Sequence, residues 1–230
     1  MTRFPWWLSL LPLAACSALA ACSTLSGARP LSPGEHAVGV TAGGVFVPLG
    51  GPVPLPNLVV EGKHGVAKPI DRPLDVHYGL NITGLPYGIA QGHVGSSFLL
   101  VDQKGAAPAL SLTDRLFLAT NLPGSPYRAE PRAQGWVADQ VELTASWYAG
   151  QQLVYLGMAQ YIDFGSPSWL LTPSVGVQID PGAPGGFLVQ PELRWYGITQ
   201  RPQAESVDWV GTTGGLGFSI GFATRLGDPR

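Results

Sequence analysis

Cysteine is missing from the chain after residue 22, because both cysteines, Cys16 and Cys22, fall at the very start. The body of the protein therefore has no disulfide framework and no cysteine-ligated metal site. Charge is also scarce. Asp, Glu, Lys and Arg make up 12% of the 230 residues, about half the share of an ordinary soluble domain. The formal net charge of -2 comes with no basic cluster to neutralise phosphates, which leaves no case for a nucleic-acid partner. The histidines are His36, His64, His77 and His93, and none stands in a His-Glu-x-x-His or related spacing, so no metal or cofactor is expected. No stretch keeps a 3.6-residue apolar period, which argues against a helical domain.

What remains is apolar and rich in turn formers. Hydrophobic residues are 45% of the chain and the mean hydropathy is +0.17, so the chain is not of the disordered class. Its 31 glycines and 22 prolines follow no period, which excludes collagen. In residues 137–148, Val141, Leu143, Ala145 and Trp147 alternate with Gln140, Glu142, Thr144 and Ser146. A period of two puts one set on each face of a strand. The same pattern recurs at 36–47, 57–66, 74–83, 88–100, 109–120, 152–162, 169–180, 186–198 and 208–226, separated by Gly- and Pro-containing turns. The 152–162 segment is apolar on both faces. In 109–120, Asp114 interrupts the apolar side. This gives an all-β chain of about ten strands (8–12), which closes most simply as an antiparallel up-and-down barrel.

Two barrels fit such alternation. A lipocalin-like soluble barrel keeps its apolar face inside, whereas a membrane-spanning barrel turns it outward. The polar faces here are mostly Gly, Ser, Thr and Gln, a poor solvent-facing surface but a workable barrel interior. The apolar faces run nine or ten residues, the length of a tilted membrane strand. Trp169, Trp195, Trp209, Phe187 and Tyr78 sit near strand ends, where membrane barrels carry aromatic girdles. The sequence favours the membrane-spanning form.

The amino terminus has Arg3 followed by an uncharged apolar run to Ala21, as a secretory signal does. Leu19-Ala20-Ala21-Cys22 resembles the bacterial lipobox, and Leu13-Ala14-Ala15-Cys16 has the same form. Lipidation is expected at Cys22, with Cys16 the alternative, because Cys16 would leave a very short signal and a further apolar stretch behind it. The resulting division is a lipoprotein signal peptide at 1–21, a lipidated periplasmic tether at 22–35, a β-barrel at 36–226 and a tail at 227–230.

Residues 59–80, VVEGKHGVAKPIDRPLDVHYGL, are similar to the tight periplasmic hairpins of small Gram-negative outer-membrane β-barrels. The chain resembles that class from Glu35 to Leu226. One departure is its end: such barrels usually finish on an aromatic residue, and here the last aromatic is Phe222. The resemblance implies an outer-membrane location with membrane lipid as a partner, and it brings no catalytic motif. Lipidation would place the first strand's start in the periplasm. The long loops 121–134 and 199–206 follow the fifth and ninth strands, as extracellular loops would, so both barrel ends are expected to be periplasmic. The partner of those loops is not written in the sequence.

Candidate chemistry is thin. His77 and His93 fall on polar faces of neighbouring strands near Asp75 and Ser97, a combination from which a nucleophile and base could be built. Interior hydrogen bonding uses the same residues more often. Glu61, Lys63, Arg115, Glu142, Glu192 and Arg194 also fall on inward faces with mixed signs. They read as pairs filling the lumen, or else as a charged constriction that selects solutes. The expected function is thus a lipid-anchored barrel without catalysis, structural or loop-mediated in role. The alternatives are a narrow solute channel, a barrel enzyme acting on outer-membrane lipids and a soluble binding barrel.

Overall fold

The computed structural model describes residues 28–48, 52–54, 57–66, 71–123, 135–164, 169–179, 187–198 and 214–226. Among them, the strands in chain order are β1 (His36–Pro48), β2 (Pro52–Pro54), β3 (Asn57–Gly65), β4 (Leu74–Asn81), β5 (Ile89–Val101), β6 (Ala109–Asn121), β7 (Gly135–Ala149), β8 (Gln152–Asp163), β9 (Trp169–Ile179), β10 (Phe187–Tyr196) and β11 (Gly215–Leu226). One 3-10 turn, Leu85–Tyr87, joins β4 to β5. The short hairpins follow their turn chemistry. Ala149 pairs with Gln152 around a two-residue turn whose first central residue, Gly150, has φ 67°. That left-handed backbone costs glycine nothing.

Each strand pairs antiparallel with the next, and β11 pairs back onto β1 in the register His36↔Leu226 to Val45↔Gly217. Ten strands thereby close into an up-and-down barrel with no free long edge, and the eleventh, β2, extends the tip of β1 through Val47↔Val53. Because the barrel strands are even in number, His36 and Leu226 lie at the same end. A β-bulge between Leu99 and Val101 shifts the β5–β6 register near that end.

The faces are inverted relative to a soluble barrel. Leu143 is 45% exposed while Thr144, its neighbour, is 0% exposed, and Val38, Val94, Leu118 and Leu156 share the outer surface. The buried set is largely polar, with Thr41, Asn81, Gln91, Thr113, Gln140, Ser174 and Ser219 among its members. Phe187 and Phe222 stack on the outside at the rim shared by the termini, with ring centroids 5.5 Å apart. Trp195 is exposed near the opposite rim. The Trp169 side chain and Trp209 lie outside the described residues. An apolar outer band around a polar interior is the arrangement of a membrane-spanning barrel.

The ten expected strands are present, with two differences. The last strand is described from Gly215, and its expected beginning at 208 falls within residues 199–213, which lie outside the described residues. The expected loop after β1 contains the three-residue β2. Its two prolines hid it, yet at a sheet margin their missing N–H groups leave no ladder bond unmade.

Candidate functional site: the closed lumen

Period-two alternation on ten strands sends side chains to a common interior, and there the charges pair. Near the barrel's middle, Arg115 of β6 donates from Nη1 to Glu142 Oε2 of β7 at 3.1 Å. Arg194 of β10 donates from Nη2 to the other oxygen, Glu142 Oε1, at 3.4 Å, and from Nε to Glu192 Oε1 at 2.9 Å. Tyr155 of β8 donates its hydroxyl proton to Glu192 Oε2 at 2.8 Å and accepts from Gln190 Nε2 at 2.8 Å. Gln140 Nε2 adds a bond to Glu142 Oε2 at 3.4 Å. Arg115, Glu142, Glu192 and Arg194 are each at most 1% exposed, and Tyr155 is 0% exposed. Two cations and two carboxylates thus balance within one connected set, as buried charge requires.

Small residues opposite large ones make room for this filling. Gly176 faces Tyr155 in register on β9, and a Cβ there would run into the phenol ring. Gly157 likewise leaves space for Glu142 Oε1. On β4 and β5, Gly79 faces His93 and Gly95 faces His77, each glycine lying under the opposing imidazole.

That second group brings together Asp75, His77, His93 and Ser97. His77 Nδ1 is 3.6 Å from Asp75 Oδ1, and His93 Nε2 is 3.9 Å from Glu61 Oε1. Both separations exceed a hydrogen bond. The imidazole centroids are 6.1 Å apart. Ser97 Oγ accepts from Thr113 Oγ1 at 3.0 Å, and among the described residues neither ring nitrogen of His77 has a hydrogen-bond partner. A nucleophile needs its base within hydrogen-bond reach, and that contact is not made here. His77 is 2% exposed and Ser97 0%. Of the other sequence-selected residues, Glu61 is buried and Lys63 half-buried on β3, both facing inward. Cys16 and Cys22 lie outside the described residues.

Described residues occupy the lumen near both of its ends. Toward the rim opposite the termini, Phe117, Ala138 and Tyr161 form a buried apolar cluster with Leu170 against it. At the termini's end, residues 28–35 enter the mouth. Ala28 packs on Leu153 and Tyr155. Arg29 donates from Nε to Ser146 Oγ at 3.1 Å and from Nη2 to Gln103 Oε1 at 2.7 Å, with its guanidinium 4.2 Å over the Tyr148 ring. The backbone N–H of Leu31 donates to Asp75 Oδ2 at 2.9 Å. Burial pulls the Arg29 pKa down, with Tyr148 and Asp102 opposing. The described part of the segment read from sequence as a tether, residues 28–35, is thus hydrogen-bonded to the barrel. A cavity of about 60 Å³ remains between it and the wall, bordered by Arg29, Glu61, Lys63, Gln190 and Arg225.

Sequence reasoning missed Tyr155 and the Arg29 anchor, and it put Gln140 and Gln190 on the polar faces of their strands without giving them a role. Tyr155 sits on the strand that reads as apolar on both faces, where alternation could not orient it. Arg29 lies outside any strand, so no periodicity pointed to it.

The fold and its inverted faces define a closed ten-stranded barrel of the membrane-spanning type. No family model and no curated protein matches the chain. Among solved structures it is similar to Ail, the attachment invasion locus protein of Yersinia pestis, at 9% identity and a TM-score of 0.28, covering 84% of this chain and 99% of that one. It is also similar to the transport unit of the autotransporter AIDA-I from Escherichia coli, at 10% identity and a TM-score of 0.42, covering 99% of this chain and 100% of that one. Neither likeness carries an argument at these scores, and the barrel rests on its own strand pairing.

Proposed function

We propose that this chain is a lipid-anchored outer-membrane barrel with an occluded lumen, structural or loop-mediated in role, neither transporting solutes nor catalysing a reaction. The observation that carries the reading is the near-zero exposure of Arg115, Glu142, Glu192 and Arg194. A water-filled channel would wet the charged groups lining it, whereas these groups are spent on one another. The inserted segment 28–35 and the cluster around Phe117 occupy the same lumen near either end. Lipid attachment at Cys22 would put the shared end of β1 and β11 in the periplasm and the β6–β7 and β10–β11 connections outside the cell. Those connections are where a loop-mediated role would reside.

Planar-bilayer recording with the full chain tests the occlusion. A flat baseline is expected, and discrete conductance steps would turn the reading into a channel. Acyl labelling tests the anchor: Cys22→Ser should abolish it. Labelling that survives Cys22→Ser but is lost in Cys16→Ser would move the anchor to Cys16, and labelling unchanged by either substitution would remove it.

A further inference from the structure

Outside the lumen, at the rim shared by the termini, two histidines face each other. His36 of β1 and His64 of β3 are paired in register, and their Nδ1 atoms lie 2.7 Å apart. The ring centroids are 4.9 Å apart with the planes at 67°. His36 is exposed and His64 half-buried. Two Nδ1 atoms at that separation can share only one proton, since two N–H groups would repel and two bare lone pairs would leave both unsatisfied. On the far side of His64, Nε2 is 2.9 Å from Tyr78 Oη, and the two rings stack with centroids 5.5 Å apart. In the tautomer whose Nε2–H donates to the tyrosine oxygen, the His64 Nδ1 lone pair is aimed at His36. An outer hydrogen bond of this kind sets the tautomer of metal-binding histidines. His36 has the same tautomer open to it, with its Nε2 proton in water.

We propose that His36 and His64 form a binding site for a divalent copper ion, bridging β1 and β3 beside the barrel's closing seam. Nitrogens about 2.0 Å from a metal at adjacent corners of a square-planar site are about 2.8 Å apart, whereas a tetrahedral zinc site needs about 3.3 Å. The Nδ1 separation of 2.7 Å is close to the square-planar value, the geometry copper(II) and nickel(II) prefer, and copper stands highest in the affinity order of divalent first-row ions. Binding moves the shared proton from His36 Nδ1 to His36 Nε2, and both rings turn so that the two Nδ1 lone pairs converge on the ion. Among the described residues no third His, Cys, Asp or Glu joins the pair, so water would complete the coordination. The exposure of His36 allows it. The inference does not depend on the outer-membrane reading, since it uses only the pairing of β1 with β3 and of β3 with β4.

The test is a copper(II) titration of the untagged full chain in detergent micelles, followed by electron paramagnetic resonance, which counts coupled imidazole nitrogens. One ion bound by two imidazoles is expected, with zinc at least tenfold weaker and no response to calcium or magnesium. His36→Gln and His64→Gln should each leave one imidazole and weaken binding at least tenfold. Both replacements are at the barrel's outer rim and should leave it folded, which heat-modifiability on a gel verifies. Tyr78→Phe should keep two imidazoles but lower the affinity about tenfold. A spectrum with fewer than two imidazoles in the unmodified chain, or an affinity unchanged by both histidine substitutions, overturns the proposal.

Discussion

Arg194 of β10 and Glu142 of β7 meet at 3.4 Å although β8 and β9 stand between their strands in the sheet. The contact is a chord across the lumen. Removing Glu142 strands both Arg115 and Arg194 with fewer acceptors, and breaking a buried pair by deleting one partner costs about 3–5 kcal/mol. Glu142→Ala should therefore lower stability by that amount in urea titrations of the bilayer-inserted chain. Glu142→Gln should cost less, because its oxygen still accepts from one arginine.

The glycines opposite large inward side chains give a second test. At Gly176 a Cβ meets the Tyr155 ring, while at Gly135 its nearest neighbour is Ala119 O at 3.7 Å. Overpacking of a filled interior costs about 1–3 kcal/mol, so Gly176→Ala should destabilise by that much. Gly135→Ala should stay within about 0.5 kcal/mol of the unmodified chain, as substitutions free of such features do.

The inserted amino-terminal segment predicts a protection pattern. Arg29→Ala removes the bonds to Ser146 and Gln103, and the N–H of Leu31, donated to Asp75, should then exchange with deuterium faster. The N–H groups of the β6–β7 ladder should keep their protection. Equal protection of Leu31 with and without the arginine would show that the guanidinium does not anchor the segment.

Asp114 is exposed on the outer face of β6, beside the cross-strand pair Leu116↔Asp139, which adds a second outward carboxylate. A charge on the lipid face destabilises a membrane barrel, by less for carboxylates than the about 2–4 kcal/mol of a basic residue at the midplane. Asp114→Leu should accordingly raise stability in bilayers by about 1–2 kcal/mol. A loss of stability would mean that this face is not against lipid.

Much of the fold was written in the period-two pattern. Residues 74–83 alternate so strictly that Asp75, His77 and Asn81 could be assigned inward from sequence, and all three are buried. The inward direction of Glu142 and Arg194 was legible for the same reason. Their pairing was not, because a chord between β7 and β10 depends on barrel curvature, which alternation does not encode. The β8 strand hid Tyr155 among apolar residues on both faces. The inserted segment was hidden differently: residues 28–35 are rich in proline and small residues, a composition shared by free tethers and by segments that fit a narrow mouth. The His36–His64 contact depends on the β1–β3 register, which puts two residues distant in sequence side by side.

The central claim is a barrel with lipid outside and an occluded polar interior, and cysteine accessibility at positions 143 and 144 tests it most directly. With Cys16 and Cys22 replaced by serine, Leu143→Cys and Thr144→Cys are inserted into bilayers and treated with lipid-soluble and water-soluble thiol reagents. The account predicts that position 143 reacts with the lipid-soluble reagent alone, and that position 144 reacts with neither until the chain is denatured. Rapid reaction of position 144 with the water-soluble reagent, together with no reaction of position 143 with the lipid-soluble one, would contradict it.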